Sequence, residues 1–212
     1  MSTKPAGIAL DIDDTLSQTL LYWIEGLQEK FGGVEGLSPR EIVKKYKHTR
    51  NIPHWNTPEA FEYITKLCNS DSLQEVIPVM ENAVEAVQKI SAIVPIVAYI
   101  TARPNTVSNG TKKWLQKHGF PNAPLITRPP SVSIPDGIVW KAQTLMSSFP
   151  HVQGIVDNDV ALVDSLPAEY PGHFFLLHDD IHKTISHNRV VLCPNWNSVV
   201  QQMQTVFSNT SQ

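Results

Sequence analysis

Gly7-Ile8-Ala9-Leu10-Asp11 is a short apolar run that ends in acid, and similar runs recur at Val94 to Ile100, Val152 to Val156 and Phe174 to Leu177, with a weaker one at Ala123 to Ile126. Unbroken apolarity, rather than alternation, is what a strand covered on both faces requires, so these segments are predicted to be parallel strands. Pro95 falls at the start of its strand, where a missing N–H is tolerated. Helical spacing appears over Val79 to Ile90, Thr106 to His118 and Ile138 to Ser148. Strands alternating with helices imply crossover connections, and so an α/β fold with a parallel sheet flanked by helices. For the second helix, Asn105 or Ser108 is the expected cap and His118-Gly119 the expected end.

The stretch from Ser17 to Pro78 breaks the alternation. Helical patterns run over Leu20 to Phe31, Pro39 to Lys47 and Pro58 to Leu67, punctuated by Gly32-Gly33, Gly36, Pro53 and Pro58, with no strand pattern. It is predicted to be a helical insertion, residues 17–78, after the first strand of a core built from 1–16 and 79–212. A chain of 212 residues has room for one such core and one accessory unit, but not for two full domains. With 42% hydrophobic and 17% charged residues, it falls in the range of folded globular chains.

Asp11-Ile12-Asp13-Asp14-Thr15 puts two carboxylates two residues apart at the end of a strand, on the same side. Such a pair is costly unless a cation bridges it or one member holds a proton, and both arrangements are chemically useful. One carboxylate can attack phosphorus while the other handles the leaving-group proton. A loop or cap cluster is the competing reading of Asp-Asp-Thr alone. Three further pieces stand at the same carboxyl edge or lead to it. Thr101 ends the second core strand, where its hydroxyl can bind a phosphoryl oxygen or cap a helix. Arg103 beside it suits anionic oxygens and equally suits an ion pair. Lys141, near the start of a helix, can offset the charge on a nucleophile and a phosphoryl group, with Lys112 and Lys113 placed deeper in the preceding helix. Gly154 to Asp159 ends another strand in acid. Asp157 is the better ligand for a hard cation, while Asp159 is a ligand, an outer partner or the N-cap of the helix through Ala161-Leu162-Val163, with Asp164 on that helix's outer face.

In order, Asp11-x-Asp13-x-Thr15, Thr101, Lys141 and Asp157 resemble the motifs of the haloacid dehalogenase-like (HAD) hydrolase superfamily across the whole core. The resemblance implies a Rossmann-like sheet, a nucleophilic Asp11, Asp13 as general acid/base, and phosphate contacts from Thr101 and Lys141. It further implies Mg2+ held by Asp11, the backbone carbonyl of Asp13, and Asp157. The insertion looks like the family's C1 type of cap, whose lid motion would gate turnover. The segment Tyr99 to Pro124 is similar to that of its nucleotidase-like and lipin-like phosphatases. The family's dehalogenases and P-type ATPases lack an acid at the position of Asp13, which leaves phosphomonoester hydrolysis as the expected reaction. Asn158 departs from the usual acid pattern of the fourth motif and leaves open which of Asp157 and Asp159 meets the metal.

A net charge of -3 gives no field for nucleic acid or an anionic membrane, so the expected partner is a small phosphorylated substrate. No apolar run reaches membrane-spanning length and no signal-peptide pattern follows Met1-Ser2-Thr3-Lys4-Pro5. With Cys68 and Cys193 far apart and read as reduced core thiols, a cytoplasmic protein is expected. The basic run Lys44 to Arg50, with His54 and Trp55 nearby, is read as a solvated face that would favour nucleotides if it met the cleft. His173, His178, His182 and His187 are read as structural, Asp179-Asp180 as a solvated turn, and the tail from Ser208 as fraying. Two rival readings are a phosphotransferase or phosphomutase of the same superfamily and a noncatalytic phosphate-binding protein. A dinucleotide-binding dehydrogenase is set aside because no glycine fingerprint follows the first strand.

Overall fold

The computed structural model describes residues 5–178, 187 and 189–208. Asp179, Asp180, His182 and the tail beyond Ser208 lie outside these residues. In chain order the elements are β1 (Gly7–Leu10), α1 (Thr19–Phe31), α2 (Pro39–Tyr46), α3 (Pro58–Asn69), α4 (Asp71–Gln74), α5 (Ala83–Ser91) and β2 (Ile96–Pro104). They continue with α6 (Ser108–Lys117), β3 (Leu125–Arg128), α7 (Gly137–Ser148), β4 (Val152–Asp157), α8 (Val160–Ser165), β5 (His173–Leu177), β6 (Val190–Cys193) and α9 (Trp196–Ser208). The strands form one parallel sheet in the order β3-β2-β1-β4-β5-β6.

This Rossmann-like α/β sheet is apolar on both faces, as the unbroken runs require. Ile8, Leu10, Tyr99, Val156 and Phe175 pack with α5, α6 and α9. Their strand neighbours Ala9, Ile100, Ile155, Phe174 and Leu176 pack with α7 and α8. The last strand and helix, β6 and α9, are absent from the sequence-based expectations, although Asn195 Oδ1 caps α9 by accepting the Ser198 N–H at 3.0 Å.

Between β1 and α5 the described residues form only helices and turns, with their own apolar cluster of Ile24, Leu27, Val34, Ile42, Ile52, Trp55 and Ala60. Local chemistry sets its helix starts. Ser38 and Glu41 form a reciprocal capping box ahead of Pro39, and Thr57 Oγ1 accepts from the Ala60 N–H ahead of Pro58. The two chain crossings into this stretch lie side by side, for Ser17 bridges Val79 and the Met80 N–H donates to the Leu16 carbonyl at 2.8 Å.

Val79 and Met80 therefore belong to this crossing, and α5 starts at Ala83, after Asn82 in the left-handed region (φ 63). Neither Asn105 nor Ser108 caps α6; the hydroxyl of Ser108 instead donates to the Asn105 carbonyl at 2.8 Å. The cap comes from Asp71, remote in sequence, whose Oδ1 accepts the Gly110 N–H at 2.7 Å. A side chain at Gly110 would collide with the Asp71 carbonyl, at 1.9 Å from an added Cβ, so glycine is what allows this approach. Glu75 to Lys113 at 2.9 Å and the Trp114 indole N–H to the Ile77 carbonyl at 2.7 Å bolt the same segment to α6. Gly119 ends α6 at φ 74, as its sequence position implied.

Replacing Asp71 with alanine removes this cap and should cost about 1 kcal/mol, read as a lower urea midpoint with an unchanged m-value.

Candidate active site at the carboxyl edge of the sheet

The strand order reverses between β1 and β4, and in such sheets the crevice beyond the carboxyl ends at that reversal is where ligands bind. Asp11 follows β1, Thr101 lies near the end of β2 and Asp157 ends β4, so three adjacent strands bring their polar residues to one place. Ile12 and Leu16 are fully buried in the core between them, which turns Asp11 and Asp13 to the opposite side.

The loop from Ile12 to Ser17 is tightly closed. The Leu16 and Ser17 N–H groups both donate to the Ile12 carbonyl at 2.9 Å, and the Asp14 N–H donates to the Ser17 carbonyl at 2.8 Å. Asp14 takes φ 57, a left-handed conformation that aspartate tolerates better than most residues. Its Oδ1 accepts the Leu20 N–H at 2.9 Å and so caps α1. Burial pushes the Asp14 carboxyl up to about 7. Thr15 Oγ1 donates to Asn158 Oδ1 at 3.0 Å, tying the β1 loop to the β4 loop. That bond gives the departure at Asn158 a role, and it was not legible in sequence because the partners are 143 residues apart.

Lys141, on the first turns of α7, is 5% exposed and bridges two of these strands. Its ammonium donates to Asp11 Oδ1 and lies 2.5 Å from Asp157 Oδ2. Lys112 and Lys113 are exposed. Asp157 is fully buried and its Oδ1 accepts the Asp159 N–H at 2.8 Å, while Asp159 Oδ1 turns away to cap α8 through the Ala161 N–H at 2.8 Å. Of the three readings for Asp159, the N-cap is the arrangement found.

Asp13 points the other way along the edge. Its Oδ1 accepts from Arg103 Nε at 2.9 Å, Arg103 Nη2 at 2.7 Å and Thr19 Oγ1 at 2.6 Å, whereas Oδ2 has only Thr101 Oγ1 at 3.5 Å. Arg103 is 6% exposed, with Nη1 on Thr111 Oγ1 at 3.2 Å and Nη2 on Ser17 Oγ at 3.2 Å. Of its two readings, ion pair or phosphate contact, Arg103 adopts the ion pair here, with Nε, Nη1 and Nη2 each donating inside the protein. Thr19, Ser17 and Thr111 were missed in sequence, where a lone hydroxyl in a helix or loop carries no signal.

The charges do not balance. Burial pushes the Asp11 carboxyl up to about 8, with Lys141 opposing and the Asp157 and Asp13 charges adding to the rise. Asp157 is likewise raised by burial against the pull of Lys141. Burial works to lower Lys141, but the Asp11 and Asp157 charges outweigh it and hold the ammonium. Burial works to raise Asp13, yet Arg103 outweighs it and holds the carboxylate below its ordinary range. With all three ionised, the carboxylates of Asp11, Asp13 and Asp157 outnumber the Lys141 and Arg103 cations by one, and Asp11 Oδ2 takes a hydrogen bond from no described residue. This donor set fits a hard divalent cation bound by Asp11, Asp157 and a backbone carbonyl. No group of three or more His, Cys, Asp or Glu side chains that could hold a metal occurs among the described residues. The set named here needs only two side chains.

Parts of the helical stretch reach this edge. Burial lowers the His48 imidazole, with Arg50 adding to that and Asp159 opposing, so His48 lies within electrostatic reach of the β4 end. Lys45 of the basic run instead pairs with Glu35, which also accepts from the Tyr46 hydroxyl at 3.0 Å. Burial raises the Cys68 thiol to about 12, with Asp13 adding to the rise, which places the end of α3 near Asp13 with an unreactive sulfur. His173 packs against Phe175 and Phe207, and His187 meets the Pro167 carbonyl at 3.2 Å. A groove of about 490 Å³ along α7 and α8, lined by Val139, Ala142, Met146 and Pro167 among others, shares none of the charged site residues.

No protein-family model and no curated protein matches the sequence. Solved structures do match. A dehalogenase solved with an intermediate complex gives a TM-score of 0.58 at 9% identity, covering 95% of this chain and 98% of that one. A HAD-superfamily hydrolase, subfamily IA, variant 1, from Geobacter sulfurreducens PCA gives 0.54 at 12% identity, covering 95% and 99%. A HAD family hydrolase from Deinococcus radiodurans R1, solved with bound phosphate and sodium, gives 0.50 at 13% identity, covering 96% and 97%. The chain has the HAD-like hydrolase fold.

Within this HAD-like fold, Asp11, Thr101, Lys141 and Asp157 stand at the one edge where their sequence motifs predicted them. Lys141→Met would leave Asp11 and Asp157 buried without their ammonium, at a cost of about 3–5 kcal/mol. Their folded-state pKa values then rise further above the unfolded ones, so the stability of the variant falls as pH rises and returns as pH falls. Urea unfolding in metal-free buffer should show a gap to the wild type that is wide at about pH 7.5 and narrower at about pH 5.

Proposed function

We propose that this protein is a Mg2+-dependent phosphomonoester hydrolase that acts on a small phosphorylated metabolite through an aspartyl-phosphate. The observation that carries the reading is the convergence of Asp11, Lys141 and Asp157 at the strand-order reversal, with Thr101 and Asp13 beside them. In this reading Asp11 attacks phosphorus in line, and the P–O bond to the leaving group breaks. Asp13 gives the departing oxygen its proton, then takes one from the water that hydrolyses the aspartyl-phosphate. Lys141 and Thr101 hold the transferring oxygens. Bound Mg2+, held by Asp11, Asp157 and the Asp13 carbonyl, supplies the remaining positive charge for those oxygens.

Asp13 supports phosphoryl transfer over dehalogenation, because carbon–halogen cleavage has no leaving oxygen to protonate. The phosphate in the Deinococcus structure belongs to that protein, and it suits the same class of ligand here. Residues 17–78 act as the cap, with α1 touching Asp13 through Thr19 and with His48 within electrostatic reach of Asp159. The two free cysteines fit a reducing, cytoplasmic setting, and among the described residues no helix is long and apolar enough to cross a membrane.

Incubation with a panel of phosphomonoesters, nucleoside monophosphates included, should release inorganic phosphate only with Mg2+ present, and chelation should stop it. Asp11→Asn should reduce turnover to background with an unchanged circular dichroism spectrum; a fully active Asp11→Asn protein sinks the reading. Asp13→Asn should lower kcat by about 10²–10⁴-fold. Product analysis with an added alcohol separates hydrolysis from transfer to a hydroxyl.

A further inference from the structure

Resting on the phosphatase reading, we infer that Arg103 is a positioning residue: it fixes Asp13 by one oxygen so that the other, Oδ2, carries the proton to and from the substrate. Both oxygens of a free carboxylate are equivalent, and rotation exchanges them. Here they are made different. Oδ1 accepts three donors, Arg103 Nε at 2.9 Å, Arg103 Nη2 at 2.7 Å and Thr19 Oγ1 at 2.6 Å, which leaves it no lone pair facing the substrate. Oδ2 faces Thr101 at 3.5 Å, the outer limit of a hydrogen bond, and is otherwise open among the described residues.

The guanidinium is itself held. Thr111 Oγ1, fully buried on α6, takes Nη1 at 3.2 Å, and Ser17 Oγ takes Nη2 at 3.2 Å. The Arg103 N–H donates to Thr101 Oγ1 at 3.2 Å, so the Thr101 hydroxyl, two residues earlier on β2, is set between this backbone and Asp13. A fork fixed on three sides does not swing out to meet a phosphoryl group. Its action reaches the reaction only through Asp13. In the first step Oδ2, having taken up a proton from solvent, passes it to the ester oxygen as that oxygen's bond to phosphorus breaks. In the second, Oδ2 takes a proton from water as the water oxygen bonds to phosphorus and the Asp11–phosphorus bond breaks.

This assignment separates from a phosphate-binding role by kinetics on two esters, one alkyl phosphate and p-nitrophenyl phosphate, whose leaving group departs as an anion without a proton. Arg103→Lys keeps the charge and loses the fork. It should lower kcat on the alkyl phosphate by about 10-fold or more, and less on p-nitrophenyl phosphate. KM and competitive inhibition by inorganic phosphate should stay within about two-fold. Made in an Asp13→Asn background, the same change should cost nothing further, because both substitutions remove one device. Thr111→Val, nearly the same shape, should give the same pattern at smaller amplitude and serves if Arg103→Lys does not fold. Equal losses on both esters with weakened phosphate inhibition, or an additive loss in the Asp13→Asn background, overturn the positioning role while the phosphatase reading stands. A folded wild type that releases phosphate from neither these esters nor the wider panel overturns both.

Discussion

One ammonium, that of Lys141, sits between carboxylates from two adjacent strands, Asp11 after β1 and Asp157 at the end of β4. Neither acid is affordable alone in a site this dry, since burial drives both toward their protonated forms. The lysine is equally unable to stay charged there without them. The three groups hold each other's charge, and that in turn fixes the spacing of β1, β4 and α7 at the one edge where the strand order reverses. Thr101, Asp13 and Asn158 are arranged around this centre.

A second charge pair, Asp13 with Arg103, is built on the same edge with a different purpose. The first pair leaves negative charge in excess and so suits a cation. In the second, the guanidinium outweighs burial, lowers the Asp13 carboxyl and fixes its orientation. Two aspartates one residue apart thus receive opposite environments: Asp11 is raised by burial among like charges and Asp13 is lowered by its arginine. The loop after them contributes through Asp14, which accepts the left-handed turn and caps α1, so the chain enters the helical stretch directly from the site.

Much of this was legible in the residues. β1, β2, β4 and β5 are strongly apolar runs, and a strand covered on both faces announces itself that way. Asp11, Asp13, Thr101, Lys141 and Asp157 were found because acids, hydroxyls and a lysine at strand ends form an ordered pattern. The edge strand β6 is an apolar run as short as β1 but follows no helical pattern, and α9 carries only Asn195 as a start signal. The cap of α6 was misread as local, since nothing in sequence ties Asp71 to Gly110 across 39 positions. Arg103 and Asp159 were each left with more than one reading because orientation is not encoded in residue type: a guanidinium suits phosphate or carboxylate equally, and an acid suits a metal or a helix N-terminus.

The sequence by itself determined the parallel α/β architecture, the helical stretch after the first strand and the residues that meet at the carboxyl edge, because apolar runs and chain order dictate which strand ends can come together. Tertiary structure alone decided where those side chains point: Asp159 into its own helix, Arg103 onto Asp13, Asn158 onto Thr15 and Lys141 between two acids. Each of these choices depends on which charges and donors lie within about 3 Å, and that distance is set by packing between segments far apart in the chain.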